Sequence, residues 1–81
     1  MTNPPDWQHD LYLDLRGLAC PLPVLKTRKA LGGLARGKRL MVEATDPLAA
    51  LDIPNHVRES GDRLIAAETS EDTYRCLIER L

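Results

Sequence analysis

From Asp10 the chain alternates strictly, with Leu11, Leu13 and Leu15 on one side and Asp10, Tyr12, Asp14 and Arg16 on the other. A period of two marks a half-buried β-strand. Gly17 ends the alternation and opens a short loop. Pro21 and Pro23 follow where the first turn of a helix lacks partners for its N–H groups anyway, so a helix is predicted to begin there. Between Pro21 and Ala35, the residues Val24, Leu25, Leu31 and Leu34 fall on one side, while Lys26, Lys29 and Arg36 recur on the other. That spacing predicts an amphipathic helix, weakened in its last turn by Gly32 and Gly33 and stopped by Gly37.

Arg39 to Thr45 alternates again, placing Leu40, Val42 and Ala44 together against Met41 and Glu43. This is a second strand. Asp46 before Pro47 has the form of a helix N-cap with proline at the first helical position. In the helix that follows, Pro54 is expected to force a kink or restart near Asp52, and Gly61 to close the helix. Leu64 to Thr69 and Thr73 to Arg80 read as two strands joined through Ser70, Glu71 and Asp72 in a short hairpin. The order β-α-β-α-β-β predicts an α+β fold. It is a two-layer α/β sandwich, a four-stranded mixed sheet covered on one face by two helices. Residues 1–9 are polar, contain Pro4 and Pro5 and show no periodicity, so they are expected to be a flexible tail before a single domain over 10–81, with Trp7 packing locally.

The 81 residues leave room for one modest core. With only Trp7, Tyr12 and Tyr74 as aromatics and no Phe, that core must be aliphatic, and a stacking platform for bases is not expected. A net charge of −1 lacks the positive field of a protein that grips phosphate backbones. No direct nucleic-acid ligand is expected. Residues 1–10 have neither the apolar core nor the basic start of a signal peptide, and no segment approaches about 18 consecutive apolar residues. A cytoplasmic protein without membrane contact is expected.

Two cysteines, Cys20 and Cys76, are too few for a disulfide framework. Cys20 stands just before the Pro21 and Pro23 turn, at or beside the helix N-cap, where unpaired N–H groups and the helix dipole favour negative charge. A thiolate, or the terminal sulfur of a persulfide, is expected to be stabilised there. The two prolines hold the turn in place, and Gly17, Leu18 and Ala19 leave room for a partner's loop. Position alone leaves a second reading open, that of a buried cysteine packed as a small hydrophobe.

The stretch LDLRGLACPLPVLKTRKAL, Leu13 to Leu31, resembles the signature of the TusA family of sulfur carriers, also called the SirA or YhhP family. The resemblance rests on Asp14, Arg16 and Gly17, on the Cys-Pro-x-Pro core of Cys20, Pro21 and Pro23, and on Lys26, Thr27 and Arg28. It extends through Thr45-Asp46-Pro47, Asp52-Ile53-Pro54 and Arg58-Glu59-Ser60-Gly61, leaving only the first ten residues outside. It implies that Cys20 accepts sulfane sulfur from a cysteine desulfurase or rhodanese and passes it as a persulfide to an acceptor sulfur-relay protein. The family's roles in tRNA thiolation, molybdenum cofactor supply and sulfur oxidation leave the pathway open. The sequence departs from many relatives at Asn55-His56-Val57, where a second cysteine is often found. Cys76 stands where relatives tend to place a core aromatic, and it is expected to be buried packing.

Lys26 and Arg28, within the first turns after Cys20, are candidate partner-docking residues, against the plainer reading of a solvated helix face, which suffices for Lys29. Asp46 is read first as a helix cap. Because the strands before the two loops may be neighbours, it is also carried as a docking residue close to Cys20. His9 and His56 show no zinc-type spacing with the cysteines, so no metal and no cofactor is expected. A monomer is the expectation. The rival reading is a non-catalytic regulatory or protein-interaction module with a redox-sensitive Cys20.

Overall fold

The computed structural model describes residues 7–81. Residues 1–6, the larger part of the expected tail, lie outside the described residues. β1 (Leu11–Leu15), α1 (Leu22–Gly32), β2 (Arg39–Ala44), α2 (Ala49–Ser60), β3 (Arg63–Ser70) and β4 (Thr73–Glu79) follow in the predicted order. The strands form one mixed sheet ordered β1-β2-β4-β3. β1 and β2 are parallel, with Leu13 opposite Val42 and Leu15 opposite Ala44. β4 runs against both of its neighbours, with Cys76 opposite Val42 on one side and Ala67 on the other.

Because β2 and β3 both oppose β4, they are parallel to each other, and each β-α-β connection returns its helix against the strands it joins. The two helices therefore run side by side, with both N-termini above the C-terminal ends of β1 and β2. This placement builds the site described below.

Leu15, Leu40, Val42, Ala44, Tyr74, Cys76 and Ile78 form the sheet's half of the core, and Leu31, Ala49, Ile53 and Val57 supply the helical half. In α2 the buried stripe is Ala49, Ile53 and Val57, spaced four residues apart. α2 runs unbroken through Pro54, so the helix does not restart near Asp52. Pro54 costs the one backbone bond that the Ala50 carbonyl would have accepted, and the buried stripe on both sides of it holds the helix to the sheet. Gly61 ends α2 in the left-handed conformation, φ +83°.

α1 differs more from its reading. It stops at Gly32, and its buried stripe is Pro23, Thr27 and Leu31; of the expected side, Leu31 is buried and Leu34 packs against the core, while Val24 is half-buried and Leu25 lies outside. Leu25 is 48% exposed. The fully buried Thr27 hydroxyl is satisfied by donating to the Pro23 carbonyl at 2.8 Å, which is how a polar side chain enters this aliphatic layer. Gly37 does not cap the helix. It makes the left-handed turn into β2, where its N–H donates to the Arg80 carbonyl at 2.6 Å and the Arg80 N–H donates to the Lys38 carbonyl at 2.9 Å.

The sheet face away from the helices carries a polar row. Arg75 donates to Glu43 at 2.9 and 2.7 Å and lies 3.8 Å from Glu68, and the Tyr12 hydroxyl donates to Glu43. Those donors, Tyr12 foremost, hold the Glu43 carboxyl below its ordinary range. Trp7 is half-buried and lines a hollow with His9, Tyr12, Met41 and Glu43 at this face.

One buried group is poorly served. The Tyr74 hydroxyl has no partner of good hydrogen-bond geometry, and the Cys76 thiol near it is a weak one. Burying a hydroxyl without a partner is unfavourable. Tyr74→Phe is therefore expected to leave stability unchanged or raise it by up to about 1 kcal/mol in urea denaturation. A loss of that size instead would show that the hydroxyl is bonded in solution.

Candidate functional site

Two loops meet where the helices begin, because β1 and β2 are adjacent and parallel. Residues 16–21 leave β1 and residues 45–48 leave β2. Backbone donors of the first loop are tied to side chains of the second. The Gly17 N–H donates to Thr45 Oγ1 at 2.8 Å, and the Cys20 N–H donates to Asp46 Oδ2 at 2.5 Å. Gly17 adopts φ +84°, a conformation that favours glycine. Arg16 is engaged locally, donating to both carboxylate oxygens of Asp14 at 2.9 and 3.0 Å, and this pairing holds the Asp14 carboxyl at about 2.

Asp46 uses both oxygens. Oδ1 accepts the Leu48 N–H at 3.1 Å, and the Asp46 carbonyl accepts the Ala49 N–H at 2.9 Å. α2 proper starts later than Asp46-Pro47 suggests, with Leu48 at the cap position and no side-chain cap bond. Asp46 thus orders the turn that leads into α2, and it also anchors the Cys20 loop.

Cys20 is exposed and directly precedes Pro21, the N-cap residue of α1, through a cis peptide bond. Pro21 is exposed, while Pro23 is buried against the core side. A narrow crevice beside the thiol is lined by Pro21, Pro23, Val24, Asp46, Ala49 and Asp52. The thiol donates to Asp52 Oδ2 across 3.7 Å.

These surroundings raise the Cys20 pKa above its ordinary value. Partial desolvation contributes most, followed by the charge of Asp52, its hydrogen bond to the thiol, and the charge of Asp46. These influences act against the thiolate expected at the helix start. Pro21 and Pro23 have no N–H to offer, and the Leu22 N–H already donates to the Ala19 carbonyl at 2.9 Å. Two carboxylates therefore face the sulfur where few amide donors remain. These surroundings favour the neutral thiol over the thiolate.

The rim is apolar. Leu22 and Leu25 on α1, Leu48 before α2 and Leu51 on it, all at the first turns of the two helices that begin at this junction, are between 44% and 64% exposed. Lys26 and Arg28 are exposed on α1. Arg28 lines an open groove of about 610 Å³ with His56, Glu59, Asp62 and Arg80, toward the C-terminal ends of the helices. His9 bonds the Trp7 carbonyl at 3.0 Å, at the opposite layer.

Cys76 is fully buried in β4, and burial pushes its thiol up to about 12. Labelling of the folded protein with a thiol alkylating reagent is expected to modify Cys20 alone, with Cys76 reacting only after denaturation. Rapid double labelling of the native protein would contradict this assignment.

The sequence reading missed the Asp52 contact, the Thr45 tie and the leucine rim. Each joins residues more than two dozen positions apart or depends on how α1 is rotated on the sheet. The one available signal was Asp52 in the first turns of a helix starting beside the Cys20 loop.

Similarity to known proteins agrees with this architecture. The chain is similar to a SirA-like protein from Desulfitobacterium hafniense, with 21% sequence identity, a TM-score of 0.76, and coverage of 86% of this chain and 96% of that one. That likeness concerns the fold. The family model described as sulfurtransferase TusA matches residues 11–80, from the first residue of β1 to the end of the sheet and across the Cys20 loop. The chain belongs to the TusA sulfurtransferase family.

Proposed function

We propose that the domain over residues 10–81 carries sulfane sulfur as a persulfide on Cys20 and relays it between proteins. The observation that carries this reading is an exposed thiol on a loop held by two bonds to its neighbour, at the one place where both helices begin. A carrier needs presentation and rigidity more than an enclosed pocket. In the loading step Cys20 Sγ, having lost its proton, attacks the outer sulfur of a donor persulfide. A bond forms between Sγ and that sulfur, the donor's S–S bond breaks, and the donor keeps the electron pair as a thiolate. Discharge repeats the exchange, with an acceptor thiolate attacking the outer sulfur and Cys20 leaving.

The donor is of the cysteine desulfurase or rhodanese kind and the acceptor a sulfur-relay protein serving tRNA thiolation, molybdenum cofactor or sulfur oxidation, in the cytoplasm. In this reading Arg16, Gly17, Pro21 and Pro23 shape the loop, the leucine rim is the contact surface, and Lys26, Arg28 and Asp46 contribute to docking. No cofactor takes part, and the carrier acts as a monomer. The test is intact-mass measurement after incubation with a cysteine desulfurase and cysteine, where the protein is expected to gain one sulfur atom. The leucine rim also suits a regulatory module that only binds partners, and absence of loading with every competent donor would favour it.

A further inference from the structure

We propose that Asp52 sets which groups reach Cys20, admitting a protein partner that brings a Lys or Arg side chain to the thiol and turning away anionic thiols and persulfides. This rests on Cys20 being the atom that carries sulfur. The charged groups facing Sγ are Asp52 from α2 and Asp46 from the loop before it, while the α1 side of the crevice contributes only Pro21, Pro23 and Val24. Asp46 spends its oxygens on two backbone N–H donors. Asp52 lies 3.7 Å from the sulfur, and among the described residues no ion pair engages it. The acidity of Cys20 is accordingly suppressed.

Sulfur exchange passes through anions: the attacking thiolate, the persulfide and the departing thiolate. A carboxylate against the reacting atom opposes all three. A cation brought beside Asp52 cancels that charge, releases the Cys20 proton and stabilises the anion that departs. The uncompensated carboxylate thus makes transfer depend on docking, so that a small anionic thiol in solution cannot discharge the carrier efficiently.

The test compares the rates at which Cys20 reacts with matched cationic and anionic methanethiosulfonate reagents near neutral pH and at low salt, in wild type, Asp52→Asn and Asp52→Glu. Both reagents meet the same thiol, so the thiolate fraction cancels from the ratio. The wild-type cation-to-anion ratio is expected to exceed that of an unstructured cysteine peptide by about tenfold or more. It should fall severalfold in Asp52→Asn and stay near wild type in Asp52→Glu. In the same Asp52→Asn variant, the pH profile of alkylation by neutral iodoacetamide is expected to move to lower pH. A wild-type ratio equal to the peptide's, or one unchanged in Asp52→Asn, overturns the proposal. Failure of desulfurase loading would instead overturn the carrier reading, and the reagent ratio would still judge Asp52.

Discussion

Cys20→Ser is expected to abolish sulfur loading altogether, while Cys76→Ser loads like wild type. The contrast follows from where the two thiols sit. Cys20 is exposed at the loop junction, whereas Cys76 has no exposed surface and its thiol is pushed up to about 12. A serine hydroxyl cannot serve as the sulfur nucleophile at neutral pH, so no residual route through position 20 remains. The fold should be unaffected. The Cys20 contact that organises the loop is its backbone N–H to Asp46, which serine retains, and the exposed side chain contributes no core packing. Intact-mass spectra with a cysteine desulfurase and cysteine, read beside circular dichroism and a thermal melt, check both statements. Loading that survives in Cys20→Ser and disappears in Cys76→Ser would reverse the assignment of the two cysteines.

Ile53→Ala is expected to lower stability by about 2 to 5 kcal/mol, while Leu51→Ala two residues earlier changes it by about 0.5 kcal/mol or less. Ile53 is fully buried in the middle of the stripe that seats α2 on the sheet, and its truncation leaves a cavity between Ala49 and Val57. Leu51 is 64% exposed on the rim. In a domain of this size the total stability is only about 5 to 15 kcal/mol, so the first change removes a large part of it and lowers Tm by about 10 °C or more. Urea denaturation of the two variants measures the difference. Equal losses would place Leu51 in a packed interface rather than on an open rim. α2 also carries Asp52 and frames the crevice, so partial loosening of this helix should disturb Cys20 before the sheet is affected.

Much of the architecture was legible along the chain. Alternation in Leu11 to Leu15 and in Leu40 to Ala44, proline before α1, and glycine after α2 specify elements through local rules of backbone geometry and burial. The residues of the Cys20 loop were legible for the same reason, since Pro21 and Pro23 are suited to the first turn of a helix and place Cys20 just before it. Local rules failed where packing decided. Pro54 is unfavourable within a helix in isolation, yet Ala49, Ile53 and Val57 hold α2 continuous through it. Of the apolar side read for α1, Leu31 and Leu34 pack but Leu25 does not, because the helix is turned so that Pro23 and Thr27 meet the sheet and Thr27 hides its hydroxyl on a backbone carbonyl.

By itself, then, the sequence determined the order of elements, the sandwich they form and the cysteine at the head of the first helix, because each of these depends on neighbours within a few residues. Only the tertiary structure decided the state of that cysteine. The parallel pairing of β1 with β2 ties Thr45 to Gly17 and brings Asp46 and Asp52 to Cys20, each across 26 or more positions of chain. Partial desolvation and then the two carboxylates raise the cysteine's pKa, at a helix start whose prolines have few N–H groups to offer in return. Electrostatic fields act through space, and which charges share that space is set by the fold.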